Sequence, residues 1–371
     1  MNKAYKYRIY PTAEQEKQLA DTFGSCRFVY NHYLAIQSEN HQQGEKHLSR
    51  TACNNDCNRV LKQEYPWLRQ VDKFALTNAI YALEAAYQRF FGKKGGYPRF
   101  KSRRHSRMSY TTNFTNGNIA VLDGEVKLPK LGKIKAVIHR AVPEGWNLKQ
   151  ATVSRERDGS YYVSILYEYQ AEIIPRAVRP ERVIGLDYKS DGLYMDSSGV
   201  GCGMPHFFRK SQEKLTKAQR KLKHKQLQSA NYRKQQKKIA RIARKTADQR
   251  KDFLHKKSAE IANQYDLVCV EDLDMKAMAN KKYGNGKATL DNGYGLFLTM
   301  LKYKLEDRGK QLIRIDKWYP SSKTCSRCGR VKMMPLSTRR YECGCGMNMD
   351  RDLNAAINIR NKGYEIYLNA A

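Results

Sequence analysis

Apolar positions in the first hundred residues follow a helical period after one alternating segment. Residues 3–10 alternate and are rich in aromatic side chains, which predicts a β-strand. Pro11 and Thr12 then open a stretch in which apolar residues recur every three or four positions, and the same spacing returns in residues 51–64 and 71–91. The pattern therefore predicts one strand followed by a helical module.

Residues 108–178 change to short alternating runs that are rich in aromatic and β-branched side chains. Two of them are residues 134–139 and 160–168, and Asn-Gly or Asp-Gly pairs separate such runs. This pattern predicts a small β-barrel or sandwich. The first strand would belong to it, since helices inserted after one strand leave a barrel otherwise intact.

Three apolar strand patterns in the second half of the chain end in an acidic residue. They are residues 183–187, 265–271 and 311–316. Glycine-rich residues 281–296 are predicted to form a loop and residues 295–308 a helix. A last helix is expected from about Asp350 to Arg360, while residues 361–371 show no clear pattern.

Positive charge dominates the composition and is concentrated in one segment. The formal net charge is +33, and residues 209–257 contain 19 lysines and arginines against three acidic residues. We expect a basic helical hairpin there, broken near Ser229, with a thin apolar seam that leaves a wide basic face. A solvated face is the plain alternative, but a surface that follows phosphates fits the clustering better. The expected partner is a nucleic acid rather than a membrane.

No run approaches the roughly 18 consecutive apolar residues of a membrane span. The nine cysteines are odd in number and mostly scattered. Both observations predict a soluble protein of a reducing compartment, the cytoplasm.

Four of the cysteines have the spacing of a metal site. Cys325, Cys328, Cys343 and Cys345 form the pattern C-x2-C-x14-C-x-C, with glycines beside the pairs. Two thiol pairs on facing turns can supply a filled tetrahedral site for one structural Zn²⁺. The alternative is four free buried cysteines. The second pair is compressed, with one intervening residue where two are usual.

Three acidic residues combine into a candidate nuclease site. Asp187 and Glu271 end strands and Asp352 opens the last helix, positions that an RNase H-type fold brings together. Hydrolysis of a phosphodiester at neutral pH uses carboxylates that hold two divalent ions, Mg²⁺ or Mn²⁺. Taken singly, each acid is more often a surface residue, and Asp350 or Asp352 could instead cap its helix.

Several short segments along nearly the whole chain carry a family resemblance. They are 7–12 with Gln15, 27–31 (RFVYN), 72–76 (DKFAL), 96–100 (GYPRF), 185–187 (GLD), 271–273 (EDL), the cysteine pairs and 350–356 (DRDLNAA). Together they resemble the TnpB (OrfB) family, transposon-encoded RNA-guided DNA endonucleases related to type V CRISPR effectors. The chain departs from the usual family pattern at Tyr-Lys-Ser (188–190) and at the compressed cysteine pair, but no acid is lost.

The resemblance implies a multidomain α/β fold. A wedge β-barrel interrupted by a helical recognition module would precede a RuvC-like (RNase H-type) nuclease domain with an inserted zinc ribbon. The expected boundaries are 1–10 for the first barrel strand, 11–105 for the recognition module, 106–180 for the barrel, 181–318 for the nuclease domain with its basic hairpin 209–257, 319–346 for the zinc ribbon, and 347–371 for the final helix and tail.

The resemblance also implies a function. A guide RNA from the transposon end would pair with one DNA strand beside a short motif that the protein recognises, and one RuvC site would cut both strands with Mg²⁺. The protein would act as a monomer in this ribonucleoprotein. Asp187, Glu271 and Asp352 would be the catalytic metal ligands, with Asp350 as the neighbouring alternative. Residues similar to the family's motif-recognising contacts are Lys73, Phe74, Thr77, Thr115 and Asn116.

Three other functions stay open at this point. The first is a DNA-binding regulator or transposase accessory of the same fold without cleavage, although the acids are complete. The second is a DDE-type transposase, which also uses three acids. The third is an RNA-binding scaffold in which zinc and positive charge supply the whole function.

Overall fold

A computed structural model describes residues 1–280, 286–335 and 337–370. Its contacts divide the chain into two compact units, Met1–Ala171 and Glu172–Ala371. Within the described residues, no helix combines the length and apolar character that crossing a bilayer requires.

The first unit combines an antiparallel seven-stranded sheet with four α-helices inserted after its first strand. The strand order is β2-β6-β7-β1-β5-β4-β3, so β1 lies in the middle of the sheet. The strands are β1 (Asn2–Tyr10), β2 (Met108–Asn113), β3 (Ala120–Leu122), β4 (Glu125–Leu128), β5 (Gly132–Val137), β6 (Asn147–Arg155) and β7 (Tyr161–Glu168). The helices are α1 (Ala13–Gln42), α2 (Arg50–Asp56), α3 (Lys62–Glu64) and α4 (Lys73–Phe91), with a π-helical turn at Cys57–Leu61 and a 3₁₀ turn at Pro66–Gln70.

The start of α1 is fixed by a capping box. The Thr12 side chain accepts a hydrogen bond from the Gln15 backbone N–H, and the Gln15 side chain accepts one from the Thr12 N–H. The Gln15 amide also donates to the carbonyl oxygens of Leu131 and Lys133 at 3.0 and 2.9 Å. One side chain thus begins the helix and ties it to the start of β5.

The second unit is built on a mixed five-stranded sheet of order β10-β9-β8-β11-β12. Strands β8, β11 and β12 are parallel, and β9 and β10 are antiparallel additions on the β8 side. The strands are β8 (Val183–Tyr188), β9 (Gly192–Asp196), β10 (Gly201–Gly203), β11 (Leu267–Glu271) and β12 (Gln311–Ile315), and β13 (Arg340–Glu342) pairs with β14 (Asn348–Asp350) in a separate hairpin. The helices are α5 (Phe207–Lys223), α6 (Ala230–Gln264), α7 (Met275–Met278), α8 (Gly286–Asn292), α9 (Tyr294–Glu306) and α10 (Arg351–Ala370).

Two glycine contacts allow α10 to lie directly against the parallel strands. A Cβ atom at Gly185 of β8 would overlap the Ala356 carbonyl oxygen, and one at Gly363 of α10 would overlap the Cys269 side chain of β11. Because glycine has no Cβ, helix and sheet approach more closely than other residues permit. This approach sets where the first turn of α10 lies relative to the end of β8.

The glycine-rich segment after residue 280 differs from the predicted loop. Residues 281–285 lie outside the described part of the chain, but residues 286–292 form α8 and residue 294 begins α9. Gly286 lies where a Cβ would overlap the Ala279 carbonyl oxygen, and Gly293 joins the two helices with a φ of +67°. The loop prediction was therefore wrong for residues 286–292 and 294, because these glycines serve close packing and a tight helix junction. The helix predicted at 295–308 is confirmed by α9.

The end of the chain also differs from the pattern-based expectation. Helix α10 continues to Ala370 rather than ending near Arg360, since Gly363, Tyr364, Ile366 and Tyr367 still contact the sheet or its core. In the first unit, β2 and β3 are the edge strands of the seven-stranded order. Closure into a barrel, and the domain boundaries given above, remain predictions.

Candidate active site and metal centre

The carboxyl ends of β8 and β11 bring two of the predicted acids together. These parallel strands pair residue by residue from Val183 with Leu267 to Leu186 with Val270. The next residue on each strand is Asp187 and Glu271 respectively. Because parallel strands end at the same edge of a sheet, both carboxylates stand at the edge where ligand sites of such sheets form.

The pKa of the Asp187 carboxyl is raised well above its usual value. Burial is the largest cause, and the negative charges of Glu271 and Asp352 add to it, while Lys189 and Arg351 oppose it. The charges of Glu271 and Asp352 therefore act on the Asp187 carboxyl, while the assignment of the three acids to one nuclease site stays a prediction.

Asp350 and Asp352, two neighbouring acids at the start of α10, make different contacts. An Asp350 carboxylate oxygen accepts hydrogen bonds from the backbone N–H groups of Asp352 and Leu353, at 2.8 and 3.1 Å. Asp350 is therefore the helix cap. The Asp352 carboxylate forms an ion pair with the Lys189 ammonium at 2.9 Å, and its negative charge raises the pKa of Asp187. This division favours Asp352 over Asp350 as the third acid of the site.

Glu271 has a partner that the sequence did not indicate. The Ser321 hydroxyl donates a hydrogen bond of 2.5 Å to a Glu271 carboxylate oxygen. Burial raises the pKa of Glu271, and the Ser321 hydrogen bond lowers it in part. Ser321 thus orients this carboxylate and stabilises its charged form.

Two buried asparagines of α10 hold the segment that carries Ser321. The Asn358 amide donates to the carbonyl oxygens of Ser321 and Thr324 at 2.8 and 2.6 Å, and the Asn354 amide donates to Thr324 at 2.7 Å. The Asn354 carbonyl in turn accepts from the Ser326 backbone N–H at 3.0 Å. These are amide side chains four residues apart on an otherwise apolar helix face, and that spacing was the available signal for their role.

The four clustered cysteines lie together at the other end of the same segment. All four sulfur atoms are within 4.8 Å of one another, and the Cys325–Cys345 and Cys328–Cys343 pairs are both 3.6 Å apart. A tetrahedral ZnS₄ site with bonds of about 2.3 Å requires sulfur atoms roughly 3.8 Å apart. The compressed Cys-x-Cys pair is accommodated by a turn in which Gly346 has a φ of +83°. The cluster can therefore hold a metal ion.

The ionisation of these thiols also favours a bound cation. Burial raises the pKa of Cys325, but hydrogen bonds from the backbone N–H groups of Cys328 and Arg327 outweigh it, and the pKa falls to about 7. The Arg330 backbone N–H lowers the pKa of Cys328, but the other cysteines raise it to about 11. Four sulfur atoms so close together cannot all be charged without a cation between them.

The residues expected to contact a DNA motif lie on two joined elements of the first unit. Lys73, Phe74 and Thr77 are in the first turns of α4, and Thr115 and Asn116 are in the turn after β2. Between them, the Asn78 amide of α4 donates to the Thr111 carbonyl and the Asn113 side chain at 3.0 and 3.1 Å. The structure therefore brings the two segments to one place, while their role in DNA contact stays a prediction.

The basic segment of the second unit forms two helices, α5 and α6, joined by a turn. Ser229 caps α6 by accepting a hydrogen bond from the Tyr232 backbone N–H. The helices contact each other through the Gln235 amide, which donates to the Ala218 carbonyl, and through the Thr246 and Ser211 hydroxyls. Most lysines and arginines of the two helices lie on the exposed sides.

Comparison with protein families gives matches along most of the chain. The model described as "Helix-turn-helix domain" matches residues 1–46, "Probable transposase" matches residues 164–282, and "Cas12f1-like, TNB domain" matches residues 294–359. In the present structure residues 1–46 contain strand β1 and the single helix α1. The third match covers the cysteine cluster, Ser321 and the start of α10.

Two curated relatives align with nearly the whole chain. A Streptomyces pristinaespiralis protein named "Putative RNA-guided DNA endonuclease" is 34% identical over 98% of this chain and 90% of its own length. A relative from Escherichia coli K12 named "Putative RNA-guided DNA endonuclease InsQ" is 30% identical over 98% of this chain and 92% of its own length. Among solved structures, the cryo-EM structure of a Cas12f1–sgRNA–target DNA complex contains a chain with a TM-score of 0.57 at 15% identity, covering 97% of this chain and 99% of that one. At this identity the likeness concerns the fold alone.

Replacing Asp187 with Asn should stabilise the metal-free protein at neutral pH. The pKa of Asp187 is raised in the fold, so its protonated form is favoured there. The contribution of this group to the free energy of unfolding is fully present below the pKa of an unfolded Asp, about 4. It is lost as the pH rises through the raised pKa that Asp187 has in the folded protein. Asparagine keeps the shape without the charge. With a chelator present, we expect a higher urea midpoint for Asp187→Asn than for the wild type near neutral pH, and a difference that shrinks towards about pH 4.

Asp350→Asn is the matched control, because asparagine is also a good helix cap and Asp350 is exposed. Its urea midpoint should follow that of the wild type at both pH values. A urea midpoint for Asp187→Asn that is lower than that of the wild type near neutral pH would mean that the Asp187 charge does not destabilise the fold.

Proposed function

The chain belongs to the TnpB family of transposon-encoded RNA-guided DNA endonucleases, and from this membership we propose that it binds a guide RNA and cuts DNA at the site formed by Asp187, Glu271 and Asp352. The alignment with the two named relatives covers 98% of the chain at 34% and 30% identity. It establishes the family and agrees with the resemblance inferred from the motifs. Two observations support the proposed site: Asp187 and Glu271 end adjacent parallel strands, and the charge of Asp352 in α10 acts on the Asp187 carboxyl.

In this proposal, the fold around the acids is a RuvC-like nuclease domain and the cysteine module is a zinc ribbon. The first unit would supply the wedge barrel and the recognition helices, with α4 and the turn after β2 contacting the DNA motif. The parallel strands β8 and β11 ending in acids support the first assignment, and the sulfur geometry supports the second. We further propose one protein copy per ribonucleoprotein and a cytoplasmic location.

The donor set fits hard divalent cations. Asp187, Glu271 and Asp352 offer carboxylate oxygens, the ligands that Mg²⁺ and Mn²⁺ prefer, and their mutual repulsion would be relieved by bound positive charge. Two such ions would activate water and stabilise the leaving oxygen of the phosphodiester. Ser321 would orient Glu271 through its hydrogen bond, and Lys189 would orient Asp352 through its ion pair.

The basic face of α5 and α6 would follow the phosphates of the bound nucleic acids. A protein that neutralises phosphates releases their counterions, so affinity falls as salt rises. This surface carries no sequence information by itself. The choice of target would therefore rest on base pairing with the guide, together with the short motif beside it.

Sequencing of the copurifying RNA tests the guide. The protein should be expressed with its native flanking DNA, and the bound RNA recovered and sequenced. We expect one dominant species with a fixed structured portion and a 3′ segment that runs past the transposon end. A mixture of unrelated cellular RNAs would mean that the positive charge binds polyanions without selection, and would favour the transposase or regulator alternatives.

Asp187→Ala tests the acids. Loss of one metal-holding carboxylate should slow cutting of a guide-matched DNA by more than about a hundredfold. RNA and DNA binding should be retained, because the binding surfaces lie elsewhere. Single-turnover cleavage and gel-shift assays measure the two properties. Asp350→Asn is the control and should still cut; a fully active Asp187→Ala would overturn the triad, and a wild type that binds without cutting would favour the regulator.

Cys325→Ser tests the structural zinc. The wild type should contain one zinc per chain by atomic absorption, and the variant should contain less. Because a structural zinc contributes directly to folding, a loss of about 3 kcal/mol would lower the melting temperature by roughly 6–12 °C. Cys202→Ser, a buried cysteine of the same unit outside the cluster, should keep its zinc. Full zinc content and an unchanged melting temperature in Cys325→Ser would count against the site.

A further inference from the structure

Trp318 is a large aromatic side chain that the fold leaves outside its core. It lies in residues 316–321, the segment between β12 and the cysteine module, and its exposed fraction is 79%. Single exposed apolar residues are common and need no function. What distinguishes Trp318 is that its backbone is fixed, that a groove opens beside it, and that it lies next to the candidate active site.

Residues 316–321 are attached at both ends to the end of β11, at Glu271 and the residue after it. At the first end, the Asp272 backbone N–H donates to the Ile315 carbonyl at 3.1 Å. At the other end, Ser321 donates to Glu271. The segment therefore starts and finishes beside the same acid of the candidate site.

The backbone of Trp318 is itself held in a tight turn. Its N–H donates to an Asp316 carboxylate oxygen at 2.7 Å, and the Tyr319 N–H donates to the Asp316 carbonyl at 3.0 Å. The next side chain, Tyr319, packs against the core formed by Val183, Leu267 and Ile359. The packing of Tyr319 anchors the turn, so the Trp318 ring is exposed to solvent on a backbone that is held in place.

An open groove of about 480 Å³ lies beside the ring. Its walls are mostly polar, and include Asp272, Asp274, Arg314, Asp316, Lys317 and Trp318. Arg314 pairs with Asp272 at 2.7 Å, and the Asp274 side chain caps α7. Such walls suit the polar edge of a nucleobase better than an apolar peptide side chain.

A cation lies within reach of the same ring. The Lys317 ammonium is 5.0 Å from the centre of the Trp318 ring. A neighbouring aromatic face and lysine can bind the base and the phosphate of one nucleotide, as in surfaces that bind single strands.

We propose that Trp318 is a stacking platform for an unpaired base of the DNA strand that enters the candidate active site. The inference rests on the proposed function and adds a substrate contact to it. A base exposes its face only when it is unstacked, and the strand to be cut must pass Glu271, beside which this segment begins and ends. The guide RNA is the less suitable occupant, because its target-recognising part is held in a heteroduplex whose base faces are covered.

Tryptophan fluorescence measures stacking at this position directly. The full chain with its copurifying RNA is titrated with oligothymidylate in Ca²⁺ instead of Mg²⁺, so that cations are supplied without cutting, at one fixed salt concentration. The chain has three tryptophans, so the contribution of Trp318 is the wild-type signal minus that of Trp318→Phe. We expect quenching of the Trp318 contribution as the oligonucleotide binds.

Variants then connect the contact to cutting. Trp318→Ala should weaken oligonucleotide binding, and slow single-turnover cutting of matched DNA, by between about 5-fold and 150-fold, the range for stacking on one aromatic residue. Trp318→Tyr keeps a ring and should restore most of both. Met333→Ala is the matched control, because Met333 is 83% exposed in the same unit and should leave both unchanged. Melting temperatures show whether each variant is folded.

The possible results separate the inference from the proposed function. Absence of quenching at Trp318, or a Trp318→Ala variant that cuts like the wild type and Met333→Ala, would overturn the platform while leaving the nuclease intact. Loss of the copurifying RNA in Trp318→Ala would overturn the assignment to DNA. If the wild type does not cut matched DNA, the proposed function fails, and Trp318 quenching still decides whether the platform exists.

Discussion

The candidate active site depends on how closely α10 lies against β8. At Gly185 the helix backbone occupies the space that a side chain would need, and at Gly363 the strand side chain of Cys269 occupies the matching space on the helix. Because Asp352 lies in the first turn of α10 and Asp187 at the end of β8, this approach brings their carboxylates into one site. A larger separation would reduce the repulsion between the acids and remove the site with it.

The repulsion among the acids has to be balanced by the packing around them. Burial and like charge raise the pKa of Asp187, so the fold keeps the acids together at a cost to its stability. The apolar side of α10, with Ile359 fully buried against Val183 and Leu267, supplies compensating burial. Asn354 and Asn358 add buried hydrogen bonds that also fix the segment leading to Cys325. The cysteine cluster and the acids are therefore parts of one connected structure, joined through Ser321 and Glu271.

The sequence predicts the parts of this arrangement that depend on local patterns. An apolar run that ends in an acid indicates Asp187 and Glu271, and cysteine spacing indicates the metal centre. Local patterns do not distinguish Asp350 from Asp352, because both lie at the start of the last helix. The capping hydrogen bonds of Asp350 and the ion pair of Asp352 with Lys189 separate them. Ser321 and Lys189 reach Glu271 and Asp352 from 50 and 163 positions away along the chain, so no spacing rule could identify them. The glycines at 286 and 293 were misassigned to a loop because composition does not show whether a glycine serves flexibility or close packing.

The positive charge of the surface and the negative charge of the acids have opposite effects on the binding of nucleic acid. A net charge of +33 attracts a polyanion from a distance, and the exposed lysines and arginines of α5 and α6 extend that attraction over a long surface. Near Asp187 the local charge has the opposite sign, and the Lys189 ammonium offsets it only in part. A phosphodiester drawn in by the surface would therefore be repelled at the acids until further cations are bound there. In the proposed function, the same carboxylates would both favour metal binding and repel nucleic acid from the site in the absence of metal.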